Sequence, residues 1–400
     1  MEFSAQTVQA LMQVNPRPPL VMVRGEGSWL EDHHGKRYLD FVQGWAVNTF
    51  GHCSPIVQDA LAAQAGTLIN PSPTFYNLPA IELANRLTAA AGMSTAFFHS
   101  SGAEANEGAI KLARKWGRVH REGAFEIITF QDAFHGRSLA AMSASGKAGW
   151  HTMFPPQVDG FPKARINDLE SVRELIGPKT AAIMIELVQG EAGAIPATKE
   201  FIQGLRALCD EHGLLLVLDE IQTGMGRLGT LFGFQHYGVR PDIITLAKGI
   251  GGGIPLAAVV ASEKASLFSH GEQGGTYCGN PVTCAVGVAV FDALTAPRFL
   301  EGVRNRGAQL AIGLQRLTRR YGLVGERGVG LLRALTLDDN DSAQIVETAR
   351  AMGPKGLLIN APRPNVLRFM PALNVSAGEV DLMLEMLDWL LATRRSAVAA

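Results

Sequence analysis

Two short apolar runs, residues 214–218 (LLLVL) and 243–246 (IITL), restrict the fold of this 400-residue chain more than any other feature of its sequence. Such runs, bounded by glycine or by charge, are typical of strands buried on both faces of a parallel sheet. The first ends at Asp219, and the second is soon followed by Lys248. Because open α/β sheets bind ligands at the carboxyl ends of their strands, we expect this acid and this amine to lie together there.

Asp219 and Lys248 suggest a particular chemistry. A carboxylate at the edge of a core needs a positive partner, and a lysine loses its proton more readily when apolar residues bury it. An acid that can hold a protonated ring nitrogen and an amine that can form an imine are the groups that pyridoxal 5'-phosphate requires. The pair therefore favours a pyridoxal-phosphate site, with a helix-capping acid and a solvated lysine as the ordinary alternatives.

The rest of the chain predicts an α/β fold with a mainly parallel, doubly wound sheet in a large domain and a small α+β domain. Helices alternate with further buried strands, which are predicted at 96–98, 126–130, 181–188 and 257–261. Strand candidates of the small domain are 330–337 and 366–370. We predict an N-terminal segment (1–50) that joins the small domain, a large cofactor-binding domain (51–290) and a small C-terminal domain (291–400).

Composition excludes several classes of protein. A formal net charge of −1 disfavours nucleic-acid binding and polybasic membrane contact. No signal-like segment begins the chain, and the longest uncharged stretch, 273–291, is broken by glycines and a proline, so no membrane span is expected. The four cysteines form no CxxC pair, so neither a metal site nor a disulfide framework is expected. A cytoplasmic location fits best.

The segment 100–104 (SSGAE) lies between a predicted strand and a predicted helix. Ser101 and Glu104 have the spacing of a capping box. Because the first N–H groups of a helix have no partner within it and attract anions, Ser101, Gly102 and Ala103 are candidates for a phosphate cradle. An ordinary capped helix is the alternative.

An aromatic ring and a guanidinium follow another predicted strand, in the segment 134–137 (FHGR). Phe134 could stack on a planar cofactor, and Arg137 could bind a carboxylate through two parallel hydrogen bonds. A core phenylalanine and a surface arginine are the alternatives.

Three further polar residues are candidates. Gln222 could donate a hydrogen bond to a phenolic oxygen, and Glu191 could pair with Arg368 and so mask or release a carboxylate site.

The glycines after Lys248 lack the spacing of the dinucleotide fingerprint, and GxxxxGK[ST] occurs nowhere, which disfavours a nucleotide site.

In this order, the motifs resemble those of the class III (ornithine-type) pyridoxal-phosphate aminotransferases. Within that class, the length of the chain and the segment 111–114 (KLAR) are most similar to the acetylornithine enzymes. The resemblance covers about residues 40–371 and implies the type I fold of pyridoxal-phosphate enzymes. The matching segments are 101–107 (SGAEANE), 134–137 (FHGR), 188–191 (VQGE), 218–224 (LDEIQTG), 246–249 (LAKG), 275–277 (GTY) and 279–281 (GNP).

The resemblance also implies a role for each cofactor-binding residue. Lys248 forms the imine with the cofactor and later moves the proton, and Asp219 holds the ring nitrogen. Phe134 stacks on the ring, and Gln222 contacts its phenolic oxygen. The phosphate is bound by Ser101, Gly102, Ala103 and, from the neighbouring subunit, Thr276, which implies a homodimer with its active site at the interface.

For the substrates, the resemblance implies that Arg137 grips the carboxylate of the amino donor. Glu191 covers Arg368 while the donor binds, and then releases it to the α-carboxylate of 2-oxoglutarate. Trp45 and Gly275 stand at substrate-facing positions. Related enzymes carry a tyrosine or a small aliphatic residue at the first and a serine at the second, so we expect the acyl pocket to be altered here.

The implied reaction moves an amino group from N2-acetyl-L-ornithine to 2-oxoglutarate, giving N-acetylglutamate 5-semialdehyde and L-glutamate, a step of arginine metabolism. Another donor for the same chemistry is the first alternative: ornithine, succinylornithine, 4-aminobutyrate or another ω-amino acid. An aminomutase is disfavoured by the Glu191–Arg368 switch. A non-catalytic cofactor-binding regulator is disfavoured because neither extra chain nor basic excess suggests a DNA-binding domain.

Overall fold

A seven-stranded sheet forms the centre of the protein. In the computed structural model, which describes residue 8 and residues 10–398, with side chains as far as residue 394, its strands in chain order are β1 (Thr95–His99), β2 (Glu126–Phe130), β3 (Lys163–Ala164), β4 (Thr180–Glu186), β5 (Leu215–Asp219), β6 (Ile243–Leu246) and β7 (Ala257–Ala261). They lie in the order β1-β7-β6-β5-β4-β2-β3. Only β7 runs against its neighbours in this sheet. The prediction of a mainly parallel sheet is confirmed.

The surroundings of strand β5 explain why its sequence is an unbroken apolar run. Its residues are all buried, and alternate side chains enter different apolar clusters. Leu216 and Leu218 pack in the cluster that includes the helix Lys199–His212, whereas Leu215 and Val217 pack in the cluster that includes the helix Gly102–His120. Successive side chains of a strand point to opposite faces, so helices cover both faces and no polar side is left.

Three smaller sheets flank the large one. The first contains Met22–Glu26, Trp29–Asp32, Arg37–Asp40 and Lys355–Leu358 in that order, so N-terminal strands pair with a strand from late in the chain. The second, which we call the switch sheet, contains Gly325–Val329, Leu332–Thr336, Val366–Phe369 and Asn360–Arg363 in that order. The third is a hairpin of Val188–Gln189 and Ile195–Pro196.

The sequence missed two strands of the switch sheet, Gly325–Val329 and Asn360–Arg363. It predicted a strand over 330–337, but a hairpin of Gly325–Val329 and Leu332–Thr336 occupies this region. The first strand is only partly buried and rich in glycine, so it lacks the apolar signal of a core strand. Gly330 forms the turn with φ of +57°, a conformation that favours glycine. The division into domains at residues 50 and 290 stays a prediction.

The helices connect these strands and lie around them. Their bounds are Pro55–Ala65, Leu78–Ala91, Gly102–His120, Leu139–Ala144, Leu169–Arg173, Lys199–His212, Gly233–Tyr237, Pro281–Thr295, Phe299–Tyr321, Ser342–Ala351 and Ala377–Val398. Among the described residues, no single helix is long and apolar enough to cross a membrane. Pro281–Thr295 and Phe299–Tyr321, bent by 73°, meet the criteria of length and composition only as a pair.

Candidate active site

A cavity of about 420 Å³ opens at the carboxyl ends of β5 and β6. Both strands are held in parallel register, in which Asp219 lies opposite Thr245. The structure therefore brings the predicted acid and amine to one place. The predicted residues that line this cavity are Ser101, Gly102, Ala103, Phe134, Arg137, Asp219, Gln222 and Lys248.

The Asp219 carboxylate is fixed by three hydrogen bonds. Its Oδ2 accepts from Asn106 Nδ2 and from His135 Nδ1, each at 2.8 Å, and its Oδ1 accepts from the Ile221 N–H at 3.0 Å. Asp219 is buried. These donors fix the position of both carboxylate oxygens, and a carboxylate is the group that can hold a protonated ring nitrogen.

Asn106 and His135 are themselves fixed. Asn106 Nδ2 also donates to the His135 carbonyl oxygen, and the His135 N–H donates to Ser145 Oγ at 2.8 Å. Because Nδ1 of His135 donates to Asp219, its Nε2 carries no proton in the neutral ring. Sequence reasoning placed both residues within motifs but gave neither a role. Only the fold shows that they converge on Asp219.

Lys248 begins a short 3-10 turn, Lys248–Gly251, directly after β6. Its φ of +44° is uncommon for a residue with a side chain. Burial lowers the pKa of Lys248, although the negative charges of Asp219 and Glu186 act in the opposite direction and raise it. A larger fraction of the amine is therefore neutral near pH 7 than for a solvated lysine, and only the neutral amine is a nucleophile.

Glu186, at the end of β4, is a buried acid beside this pair. Its Oε2 accepts from the Phe134 N–H at 2.9 Å, and its Oε1 accepts from the Gly190 N–H at 3.3 Å. Burial raises the pKa of Glu186 to about 8, and the charge of Asp219 acts in the same direction. Glu186 thus connects the strand end to the segments that carry Phe134 and Glu191. The sequence gave no signal for this.

The N-terminus of the helix Gly102–His120 points into the cavity. Ser101 Oγ accepts from the Glu104 N–H at 3.3 Å, so the predicted cap is present. Glu104 in turn accepts from the Ser101 hydroxyl and from the Ser100 N–H. A Cβ at Gly102 would lie 2.9 Å from Ile221 Cδ1, so a glycine allows the helix end to approach the segment after Asp219.

Phe134 lines the cavity and packs against Trp150, which lies behind it. The rings of Phe134 and Trp150 meet edge to face with centroids 5.6 Å apart. The Arg137 guanidinium lies 5.5 Å from the Trp150 ring, a favourable cation–π geometry. Arg137 itself is exposed, as a group that meets a substrate from solvent must be. Trp150 was missed because a lone tryptophan between glycine and histidine carries no pattern.

Arg368 and Glu191 form the predicted pair. Arg368 Nη2 donates to Glu191 Oε1 at 2.9 Å, and Arg368 Nε donates to Asn360 Oδ1 at 2.7 Å. Arg368 is fully buried, whereas 35% of the Glu191 side chain is exposed. Burial opposes the ionisation of Glu191, but the charge and the hydrogen bond of Arg368, together with the charges of Lys248 and Lys147, lower the pKa of the acid overall.

Trp45 covers the same guanidinium from another side, with Arg368 Cζ 5.5 Å from its ring. It stands in a left-handed turn, Gln43–Ala46, in which every residue has positive φ. Such a turn costs roughly 1–2 kcal/mol for each residue with a side chain. The Asp40 carboxylate stabilises it by accepting from the N–H groups of Val42 and Gln43.

Similarity to known proteins agrees with this geometry. The family model described as "Aminotransferase class-III" matches residues 11–391. The chain belongs to the class III aminotransferases. It is therefore a transaminase, which takes an amino donor and an oxo-acid acceptor, and it has the fold of that family.

Relatives cover the chain from end to end. Acetylornithine aminotransferase 2 of Bordetella bronchiseptica is 65% identical over 395 residues, which are 99% of this chain and 100% of the relative. The crystal structure of N-acetylornithine aminotransferase from Stenotrophomonas maltophilia K279a has a TM-score of 0.84 and 35% identity, over 97% of this chain and 99% of that one. An amine transaminase from an uncultivated Pseudomonas species, solved in its PLP-bound form, has a TM-score of 0.89 and 30% identity, over 98% and 100%.

Five predicted residues of this aminotransferase do not line the cavity: Arg368 with its contacts Glu191 and Trp45, and Gly275 and Thr276. Gly275 and Thr276 are exposed, and Thr276 lines a separate depression of about 250 Å³ with Phe75 and Tyr76. Tyr76 is 95% exposed. The predicted roles of Gly275 and Thr276 require a second subunit and stay predictions.

Proposed function

We propose that this class III aminotransferase transfers the ω-amino group of N2-acetyl-L-ornithine to 2-oxoglutarate, giving N-acetylglutamate 5-semialdehyde and L-glutamate. The observation that carries the proposal is the buried Arg368 whose guanidinium is covered by a half-accessible Glu191. The donor is supported by the full-length similarity to acetylornithine aminotransferase 2 of Bordetella bronchiseptica.

The residues around the cavity fit pyridoxal phosphate as the cofactor. Lys248 would hold its aldehyde carbon, Asp219 its ring nitrogen, and the backbone at Ser101, Gly102 and Ala103 its phosphate, while Gln222 would contact its phenolic oxygen. The fit rests on the depressed pKa of the lysine and on the capped N-terminus of a long helix. Phe134 forms an apolar wall on which a planar ring can stack.

When bound, pyridoxal phosphate supplies the carbonyl that exchanges with the donor amine and the ring that accepts the electron pair of the broken C–H bond. The protein supplies the rest. Lys248 Nζ takes the proton from the donor carbon and returns it on the cofactor side. Asp219 would hold the ring nitrogen, because Asn106 and His135 donate hydrogen bonds that fix its carboxylate.

The Glu191–Arg368 pair solves a problem of two substrates. The donor presents an uncharged methylene next to the reacting carbon, whereas 2-oxoglutarate presents a carboxylate there. A buried arginine without a counter-charge is costly, so Glu191 neutralises it for the donor. When Glu191 turns toward solvent, the same guanidinium binds the α-carboxylate of 2-oxoglutarate. Arg137, at the exposed end, binds the distal carboxylate in both halves.

We further propose a homodimer with the active site at its interface. Several large apolar residues are exposed near Thr276, namely Leu68, Ile69, Phe75, Tyr76, Leu78 and Tyr277. An exposed apolar patch of this kind is typical of a subunit interface. A cytoplasmic location stays a prediction of the sequence.

A donor panel tests the function. The purified enzyme is loaded with pyridoxal phosphate and mixed with acetylornithine, ornithine, succinylornithine or 4-aminobutyrate, and the visible cofactor band is followed for a single turnover. We expect acetylornithine to react at least about tenfold faster than ornithine and 4-aminobutyrate, which lack the acyl group and its contacts. A faster reaction with another donor would instead favour the alternative that Trp45 points to, a re-shaped acyl pocket.

A further inference from the structure

The turn that carries Glu191 is held by an arginine that has no predicted role. Arg327 Nε donates to the Gly193 carbonyl oxygen at 2.7 Å, and its Nη2 donates to the Ala192 carbonyl oxygen at 3.4 Å. These are the two residues that follow Glu191. The guanidinium thus contacts the backbone of the turn, whereas Arg368 contacts its side chain.

The register of the switch sheet places both arginines on one face. Arg327 pairs with Ala334, Ala334 pairs with Arg368, and Arg368 pairs with Asn360. Directly opposite residues of adjacent strands point to the same side of a sheet. The small Ala334 lies between them, so the backbones of the two arginines are two strands apart, roughly 10 Å at the spacing of β-strands.

The turn itself is shaped to receive Arg327. The N–H groups of Gly193 and Ala194 both donate to the Gly190 carbonyl oxygen, at 3.1 and 3.3 Å, which closes a tight loop directly after Glu191. Gly193 has φ of +99°, and a Cβ there would lie 2.7 Å from Arg327 Nη2. A side chain at Gly193 would therefore strain the backbone and also push the guanidinium away.

We propose that Arg327 is the positioning residue of the Glu191 switch. By fixing the backbone two residues beyond Glu191, it makes the switch a rotation of one side chain and keeps the carboxylate within reach of Arg368. Arg327 touches neither substrate nor cofactor. The inference rests on the proposed function, because it assigns Glu191 to the donor half of the reaction.

The consequence is a bias between the two half-reactions. If Arg327 is lost, the turn gains freedom, and the ordered Glu191–Arg368 pair forms less often. The donor half, which needs the pair, then becomes slower. The acceptor half, which needs a free Arg368, is spared or favoured. The acceptor binds more tightly when the enzyme spends more time with Arg368 released from Glu191.

The test compares Arg327→Gln with wild type in separate single-turnover half-reactions. We expect kcat/KM for acetylornithine to fall about tenfold, the effect of losing a charged hydrogen bond, while kcat/KM for glutamate stays at the wild-type value or rises severalfold. Arg327→Lys, which keeps the charge and one donor, should recover part of the loss. Equal losses in both half-reactions would overturn the proposal, since they would indicate a structural role.

Arg333→Gln is the matched control. Arg333 lies on the adjacent strand and makes bonds of the same kind, from Nε to the Gly330 carbonyl oxygen and from Nη1 to Glu326. It pairs with Gly328 and Phe369, in the row next to Arg327, so it points to the other face. This variant should leave the ratio of the half-reactions unchanged. A shift as large as that of Arg327→Gln would contradict the assignment.

Binding supplies a readout that does not depend on turnover. Glutarate, a five-carbon dicarboxylate without a reacting group, should bind Arg327→Gln severalfold more tightly than wild type by calorimetry, because Arg368 is free more often. Weaker binding would contradict the proposal. If Arg327→Gln does not fold, Gly193→Ala disturbs the same contact from the turn and should give the same bias.

The two proposals fail in different ways. If wild type reacts with another ω-amino donor and not with acetylornithine, the proposed donor is wrong. The ratio of the two half-reaction rates is then measured with the donor that reacts. If wild type uses acetylornithine and Arg327→Gln keeps the wild-type ratio, the role of Arg327 is wrong and the proposed function stands.

Discussion

The two ends of the candidate site are built differently: the Asp219 end lies in the cavity wall, and the Arg368 end lies outside that wall, close to Gly190. At the Asp219 end, one strand of the large sheet delivers the carboxylate, and donors fixed on neighbouring segments hold both oxygens. At the Arg368 end, the guanidinium keeps its Nη1 without a hydrogen-bond partner among the described residues. Its cover consists of Glu191, 35% exposed at the side chain, and Trp45, 51% exposed.

The difference follows from what each end must do. The Asp219 end meets the same ring nitrogen in both half-reactions, so a rigid and fully paired carboxylate serves it throughout. The Arg368 end must accept a methylene in one half and a carboxylate in the other, so part of its surroundings must move. Rigid and movable parts are thus separated within one candidate site, and four substitutions test the separation.

Lys248→Ala should have the largest effect, because Lys248 serves both half-reactions from the rigid end. We expect turnover to fall by at least about 10³-fold with every donor, the scale of a lost acid–base catalyst. Steady-state glutamate formation measures this, and Lys264→Ala on the surface is the control. A rate within tenfold of wild type would remove Lys248 from its role.

Glu191→Gln should separate the halves. The amide keeps the size of the side chain but removes the charge that neutralises Arg368, so the acetylornithine half should slow by about tenfold or more, whereas the glutamate half should change little. Single-turnover rates with each substrate measure the two halves. Equal slowing of both would show that the two ends are not separable in this way.

His99 tests the large sheet, which carries the rigid end, through its stability. It is buried at the end of β1, its Nε2 has no partner among the described residues, and burial lowers its pKa to about 4. The unfolded chain binds a proton on this ring below its ordinary pKa of about 6.5, and the folded chain does not until about pH 4. Stability is therefore lost as pH falls through this window.

From this histidine alone, the loss at pH 5 relative to pH 8 should be about 2 kcal/mol. His99→Phe should remove that part of the acid sensitivity in guanidinium unfolding measured at both values, whereas His270→Gln, at an exposed site, should not. If the stability of His99→Phe falls between pH 8 and pH 5 as much as that of wild type, the buried imidazole is not the source of the acid sensitivity.

Trp45→Leu should have the smallest effect, on the movable end. A partly exposed cation–π contact contributes about 0.5–1 kcal/mol. Without the Trp45 ring, the Arg368 guanidinium loses this contact when it binds 2-oxoglutarate, so the KM for 2-oxoglutarate should rise about two- to fivefold. Trp45→Phe keeps a ring and should stay near wild type. Steady-state titration with 2-oxoglutarate distinguishes them, and an unchanged KM in Trp45→Leu would show that the ring does not support the guanidinium.

The fold and the rigid end were largely predictable, because local patterns determine them. Unbroken apolar runs identify β5 and β6, their ends place Asp219 and Lys248, and serine–glutamate spacing predicts the cap at Ser101. These features depend on strand period, strand ends and helix termini, which a few neighbouring residues specify. The partners of Asp219 were not predictable, since Asn106 and His135 reach it from separate segments.

The sequence by itself determined the mainly parallel sheet, the acid and the amine at its edge, and the capped helix that faces them. Only the tertiary structure decided the movable end. The row of Arg327, Ala334, Arg368 and Asn360 exists because four strands pair in one register, and the Glu191 turn meets it from a distant part of the chain. Pairing register and long-range docking leave no periodic trace in any one segment.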